Sequence, residues 1–132
     1  MAPDSTPVLE LTKQNFSQSV NNHPFAVIDF WAPWCAPCRA FAPVFAAAAA
    51  KYRGAVFAKV NTEDQQEIAA HFKVRSIPTL MIFRDNIIVF AEAGALAAGM
   101  LDQVVTAAQA LDMDAVRREI AAQGADERPA SA

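Results

Sequence analysis

The chain has 132 residues, 54% of them hydrophobic, so it is long enough for one buried core and too short for two ordinary domains. Its formal charge is −3 and no Lys/Arg cluster is present, which makes nucleic acid and anionic membranes poor partners. No apolar run approaches the roughly 18 residues of a membrane span, and no signal-peptide pattern opens the sequence. These features predict a single domain in the cytoplasm.

Hydrophobic periodicity predicts strands that alternate with helices along most of the chain. Residues 1 to 7 are rich in Pro, Ser and Thr and are expected to form a flexible arm. The segments that follow include five runs of β-branched, aromatic and other apolar residues, which predict strands at Val8–Leu11, Ala26–Trp31, Val56–Val60, Thr79–Phe83 and Ile87–Ala91.

Apolar residues at helical spacing predict helices after each of the first three strands and after the last. Thr12 is the expected cap of the first helix, and Thr62 with Gln65 is the expected capping box of the third. Pro43 lies inside the second helix and should kink it rather than end it, because alanines continue beyond it. With Arg84-Asp85-Asn86 as a hairpin turn, the pattern predicts an α/β fold, a mixed five-stranded sheet with helices on both faces.

After residue 111 the sequence predicts one further helix. Asp112 could cap it, and Met113, Val116 and Ile120 would lie along one side, before Gly124 and a polar tail. The simpler interpretation of residues 112 to 132 is a short surface helix followed by a disordered tail. The alternative is a face for weak self-association.

The only two cysteines, Cys35 and Cys38, stand where the second strand is followed by a helix. Free backbone N–H groups and the helix dipole stabilise an anion at a helix N-terminus, so Cys35 should ionise more easily. Its thiolate can attack a disulfide, and Cys38 is placed to release the product. A structural bridge is one alternative, although so small a loop removes little entropy from the unfolded chain. Zinc is another, but it needs about four ligands, and His23 and His71 are isolated in the sequence.

Six short motifs carry a resemblance to a known family. They are Asp29-Phe30-Trp31-Ala32, Trp34-Cys35-Ala36-Pro37-Cys38, Phe41-Ala42-Pro43, Ala58-Lys59-Val60-Asn61, Ser76-Ile77-Pro78-Thr79-Leu80 and Gly94-Ala95-Leu96. In this order they resemble the thioredoxin family, which usually has Gly where this chain has Ala36. The resemblance covers roughly residues 8 to 111 and implies the thioredoxin fold there. Within the family, the sequence is more similar to the bacterial thioredoxin-2 branch. Many members of that branch carry an N-terminal zinc ribbon, which this sequence lacks.

The resemblance assigns roles to the residues around the thiols. Cys35 would be the nucleophile and Cys38 the resolving thiol, with Pro78 as a cis-proline, although the residues alone leave a trans proline open. A flat apolar rim for protein substrates is implied at Trp34, Ala36, Pro37, Ile77, Gly94 and Ala95.

Asp29 is a lone carboxylate in an otherwise apolar strand, where burial would raise its pKa. By resemblance it lies behind Cys38 as a buried acid and base, and Lys59 is the nearby charge that couples to it. The alternative for Asp29 is a carboxylate bonded to backbone amides.

The leading hypothesis is a cytosolic protein-disulfide reductase, regenerated by an NADPH-dependent thioredoxin reductase. The sequence has no glycine-rich nucleotide-binding motif, so the chain itself is expected to bind no NADPH or flavin. No bound metal is expected either, and the redox-active group would be the Cys35-Cys38 disulfide. Its partners would be that reductase and disulfide-containing proteins, and the chain would act as a monomer. An oxidase or isomerase of the same fold stays open, as does a binding module whose redox pair is incidental.

Overall fold

The computed structural model describes residues 8–127 as one sheet with helices on both faces. All five predicted strands are present, as β1 (Val8–Glu10), β2 (Phe25–Trp31), β3 (Val56–Asn61), β4 (Thr79–Arg84) and β5 (Ile87–Ala93). Their order is β1-β3-β2-β4-β5, with parallel pairing among the first three and antiparallel pairing of β4 with both its neighbours. The mixed sheet confirms the predicted architecture. The arm predicted at residues 1–7 and the end of the predicted tail, residues 128–132, lie outside the described residues.

The helices of the described chain are α1 (Phe16–Asn21), α2 (Ala36–Lys51), α3 (Gln66–His71), α4 (Ala98–Gln109) and α5 (Met113–Glu127). Successive residues of a strand point to opposite faces, so β2 contributes to two cores. Val27 packs with Phe45 of α2 on one face, and Ile28 packs with Ile68 of α3 on the other. Because β2 is central and buried on both faces, it gives the segment that follows it a rigid base.

The predicted cap of the first helix is wrong. The helix begins at Phe16 with Asn15 as its N-cap, and Thr12 lies in a turn before it. In that turn the Asn15 side chain accepts the N–H of Thr12 at 2.7 Å, and the Thr12 carbonyl accepts the N–H of Phe16 at 2.9 Å. Asn15, at the end of the turn next to the helix, therefore stabilises the turn through its side chain.

The predicted capping box of α3 is also wrong. The Thr62 hydroxyl donates to the carbonyl of Trp31 at 3.1 Å, and the Gln65 side chain accepts the N–H of Lys13 at 2.9 Å. Thr62 directly follows β3, so its hydroxyl reaches the neighbouring strand β2 rather than its own helix. Both polar groups thus tie together segments that are distant in sequence.

The hairpin between β4 and β5 turns at Asp85 and Asn86, which have φ values of 51° and 70°. Positive φ at both central positions is the requirement of a tight turn that matches strand twist, and Asn adopts it more readily than most residues. The turn also anchors α5, because Arg117 forms an ion pair with Asp85 at 3.0 Å.

The C-terminal helix α5 starts as the sequence predicts and ends later. The Asp112 side chain accepts the N–H of Ala115 at 3.2 Å, the expected capping bond. The helix passes through Gly124, before which it was predicted to end, and reaches Glu127. Glycine in a helix interior costs only about 1 kcal/mol, and good helix formers flank it here. Met113 is buried whereas Ile120 is 45% exposed, so only the start of the predicted apolar side rests on the domain.

Candidate active site

The two cysteines occupy the first turn of α2. Cys35 is its N-cap residue in an extended conformation, and Cys38 follows within the turn, with their Cα atoms 5.2 Å apart and their sulfurs bonded. The N–H of Cys38 donates to the Sγ of Cys35 at 3.2 Å. Since this N–H and the helix dipole favour negative charge on that sulfur, reduction of the pair would leave Cys35 as the thiol that ionises more easily.

Cys35 is also the more accessible of the pair. It is 4% exposed and Cys38 only 1%, while the intervening Ala36 and Pro37 are exposed. The Sγ of Cys35 lies 3.8 Å from the carbonyl oxygen of Ile77, to which the reduced thiol could donate. An incoming disulfide therefore meets Cys35 first, beside the backbone of Ile77.

The loop that carries Ile77 is hydrogen-bonded to the residue that follows β5. The Ile77–Pro78 peptide bond is cis, the isomer that the resemblance implies. The carbonyl of Pro78 accepts the N–H of Gly94 at 2.7 Å, and Gly94 has a φ of 112°, which glycine adopts without strain. Gly94 and the exposed Ala95 thus lie next to the Ile77–Pro78 loop.

Trp34 is the most exposed large apolar residue near the cysteines, with 65% of its surface accessible. Its indole N–H donates to the Oε2 of Glu63 at 2.9 Å. Glu63 was not among the predicted site residues, and nothing local indicates it, since the two residues are 29 positions apart. The bond fixes the orientation of this exposed indole beside the active-site turn.

Asp29 lies at the centre of β2, paired with Lys59 of β3 and Leu80 of β4. It is 3% exposed, and its Oδ1 has no hydrogen-bond partner in the described part of the chain. Asp29 shares its strand face with Val27, which packs against α2, so the carboxylate lies on the side that α2 covers. Burial raises the pKa of Asp29 to about 7, and the positive charge of Lys59 acts in the opposite direction.

Lys59 extends over an aromatic ring toward the surface. Its Nζ lies 4.8 Å from the ring centroid of Trp31 and 3.8 Å from the Oε1 of Glu10. Trp31 itself packs against the cysteines, and its buried Nε1 lacks a hydrogen-bond partner among residues 8–127. The charge of Lys59 therefore lowers the pKa of Asp29 without a direct ion pair between the two. Within the described residues, the ion pair of Lys59 is with Glu10.

Two further features are absent from residues 8–127. No group of three or more His, Cys, Asp and Glu side chains is arranged to hold a metal ion. None of the helices is both long and apolar enough to cross a bilayer.

Comparison with known proteins identifies the family. The thioredoxin family model matches residues 7–107. The chain belongs to the thioredoxin family. A putative thioredoxin 2 of Streptomyces coelicolor is 50% identical over 91% of this chain and 90% of its own length. A thioredoxin of Porphyra purpurea is 42% identical over 74% of this chain and 94% of its own.

Solved structures of thioredoxins share the fold. A mutant thioredoxin from Halobacterium salinarum NRC-1 superposes with a TM-score of 0.71 and 27% identity, over 80% of this chain and 95% of that protein. Plasmodium falciparum thioredoxin gives a TM-score of 0.71 and 26% identity, over 75% and 97%. Like its thioredoxin relatives, and with its Cys-x-x-Cys pair, this protein is a protein-disulfide oxidoreductase.

The Trp34–Glu63 bond leads to a prediction about substrate binding in this thioredoxin-family protein. Glu63→Ala removes the acceptor, so the indole is expected to become mobile and the KM for a protein disulfide to rise about threefold to fivefold. The kcat should hardly change, because Glu63 does not touch the sulfurs. Steady-state kinetics with a protein substrate would measure both constants.

Glu63→Gln is the matched control, because its amide oxygen can still accept the indole N–H. It should restore most of the lost affinity. If Glu63→Ala and Glu63→Gln raise KM equally, the carboxylate charge matters and the bond to Trp34 does not.

Proposed function

We propose that this protein is a cytosolic thioredoxin that reduces disulfides in other proteins and is regenerated by an NADPH-dependent thioredoxin reductase. The main support for the proposal is the position of Cys35, which is the N-cap of α2. The sulfur of Cys35 accepts the N–H of Cys38 and lies beside the carbonyl of Ile77. In this role the protein serves electron transport and cell redox homeostasis. It needs no bound cofactor, and the redox-active group is the cysteine pair.

The proposed exchange has two steps, which transfer two electrons. The Cys35 thiolate attacks one sulfur of the substrate disulfide and expels the other as a thiolate, leaving a mixed disulfide. Cys38 then loses its proton and attacks the Cys35 sulfur, so that the second substrate sulfur leaves as a thiolate and takes up a proton to become a thiol. The protein ends with the Cys35–Cys38 disulfide, and the reductase returns both electrons from NADPH.

Asp29 is the proposed base of the second step. A carboxylate whose pKa is about 7 can accept a proton near neutral pH and return it, which suits general acid–base catalysis. Its position on the α2 side of β2 supports transfer from Cys38, directly or through a water. Lys59 is proposed to tune that proton affinity.

The proposed substrate surface surrounds Cys35. An extended segment of the partner would pair with the backbone of Ile77 as an added strand, the mode in which main-chain hydrogen bonds provide affinity. Around it, the proposed rim consists of Trp34, Ala36, Pro37, Ile77, Gly94 and Ala95. Pro78, which offers no N–H and no metal ligand, keeps the loop beside the sulfur. We propose that residues 8–111 perform this chemistry as a monomer and that the extension from residue 112 takes no part in it.

The experiment that tests the function is NADPH-coupled reduction of a protein disulfide such as that of insulin, with a bacterial thioredoxin reductase. We expect turnover that requires all three components, and a dithiol potential near −270 mV, the value typical of thioredoxin. The double variant Cys35→Ser, Cys38→Ser is the control and should be inactive. No turnover, with a potential far above this value, would indicate an oxidase or isomerase; inert thiols would indicate a binding module.

A further inference from the structure

Three charged residues lie side by side on neighbouring strands. In the register of the sheet, Glu10 of β1 pairs with Lys59 of β3, and Lys59 pairs with Asp29 of β2. Paired residues of adjacent strands point to the same face, and the strands are about 4.8 Å apart. The ammonium group of Lys59 therefore has a carboxylate on either side, one near the surface and one buried.

Of these two carboxylates, it is Glu10 with which Lys59 forms an ion pair. Its Nζ lies 3.8 Å from Glu10, and the ring of Trp31 beneath it, 4.8 Å away at the centroid, also attracts the cation. No ion pair between Lys59 and Asp29 is present within residues 8–127, and the Oδ1 of Asp29 has no partner there. The ammonium group thus lies toward Glu10 and the solvent. The negative charge of ionised Asp29 therefore has no direct counter-ion among the described residues.

We propose that Glu10 is a positioning residue, whose carboxylate holds the Lys59 ammonium toward the surface and away from Asp29. The inference deepens the proposed function, since Asp29 is the proposed base of its second step. If Lys59 formed a direct ion pair with Asp29, Asp29 would be a weaker proton acceptor, because an adjacent cation stabilises the ionised carboxylate. Glu10 prevents this although it lies outside the active-site turn.

The elements packed around this trio differ in the charged and titratable groups that they place near it. Burial raises the pKa of Glu10, the positive charge of Lys59 opposes this, and Asp64, in the turn before α3, raises the pKa further. The residue of β4 opposite Asp29 is the uncharged Leu80, and α2 contributes Cys38, which titrates only when reduced. In the oxidised protein the proton affinity of Asp29 thus depends chiefly on burial and on Lys59.

Neutralising Glu10 should make Asp29 more acidic by two routes of the same sign. In Glu10→Gln the Lys59 ammonium is released toward Asp29, and the repulsion between the two carboxylates disappears. We expect the Asp29 titration midpoint to fall by roughly half to one pH unit. In a Lys59→Met background most of this shift should vanish, because the cation that transmits it is absent.

The test follows the Asp29 carboxyl by ¹³C NMR between pH 4 and 10 in the oxidised full-length protein. The variants are Glu10→Gln, Lys59→Met and the double substitution. Glu67→Gln is the matched control, because it removes the same charge from a surface carboxylate that pairs with Lys13 instead. A midpoint in Glu10→Gln that equals that of the wild type or of Glu67→Gln overturns the proposal. So does an equal shift with and without Lys59, which would mean direct repulsion alone.

A kinetic measurement separates this inference from the proposed function. The pH profile of mixed-disulfide resolution should move to lower pH in Glu10→Gln together with the NMR midpoint. If the NMR midpoint moves and the rate profile does not, the positioning by Glu10 stands and the base role of Asp29 is contradicted. Glu10→Asp, which keeps the charge, should return the midpoint toward the wild-type value.

Discussion

Replacement of Cys38 by serine is expected to trap the protein in a covalent complex with its substrate. The backbone N–H of residue 38 and the helix N-terminus remain, so Cys35 is still activated for attack. The hydroxyl that replaces the Cys38 thiol cannot displace the bound sulfur, and the mixed disulfide should accumulate. Turnover in the NADPH-coupled reaction should fall by about a thousandfold or more.

Cys35→Ser is the matched comparison and should give no adduct. Cys38 is 1% exposed and lies within the first turn of the helix, so it cannot reach an incoming disulfide. Non-reducing electrophoresis and mass spectrometry after incubation with a protein disulfide would distinguish the variants. An adduct through Cys38 in the Cys35→Ser protein would reverse the proposed roles of the two thiols.

Asp29→Asn is expected to stabilise the protein strongly above neutral pH. Burial raises the pKa of Asp29 from 3.8 to about 7 in the folded state, so folding takes up a proton between these values. The free energy of unfolding of the wild type should therefore fall as pH rises through this window. One pKa unit corresponds to about 1.4 kcal/mol, so the full penalty is about 4 kcal/mol, complete above pH 7 and absent below about pH 4.

Urea unfolding of the oxidised proteins from pH 4 to 9 measures this effect. Asp29→Asn should match the wild type at the acidic end and exceed it by up to about 4 kcal/mol at the alkaline end. Asp64→Asn, at an exposed position, is the control and should change stability by less than about 0.5 kcal/mol throughout. A parallel pH dependence of Asp29→Asn and the wild type would mean that Asp29 is not a buried acid.

The sequence was sufficient to predict the strands because their pattern is local. Residues 26–30 of β2 form a run with one charge, and that pattern predicts a strand buried on both sides, as observed. The caps failed for the opposite reason. Thr62 has the right spacing to cap α3, but its hydroxyl bonds to Trp31 on another strand, a contact that no local pattern encodes. Polar side chains near helix ends have several possible partners, and the tertiary structure selects among them.

The residues of the candidate site likewise include some that local motifs predict and some that only tertiary contacts reveal. The cysteines and Pro78 were predicted from motifs within one segment each, together with the resemblance. The indole of Trp34 and the ammonium of Lys59 bind carboxylates that were not predicted, Glu63 and Glu10, because strand pairing and chain reversal bring them close. Registers and distances of this kind come only from the folded structure.

The tryptophans also determine how this protein can be observed. The chain contains two, and both belong to the site: Trp31 packs against the disulfide, and Trp34 is held by Glu63 at its edge. No indole elsewhere contributes background emission. Tryptophan fluorescence therefore comes entirely from the surroundings of the cysteines, provided that excitation is chosen to avoid the single tyrosine, Tyr52. An unlabelled sample can then be used to follow oxidation, reduction and covalent capture of the cysteines in real time.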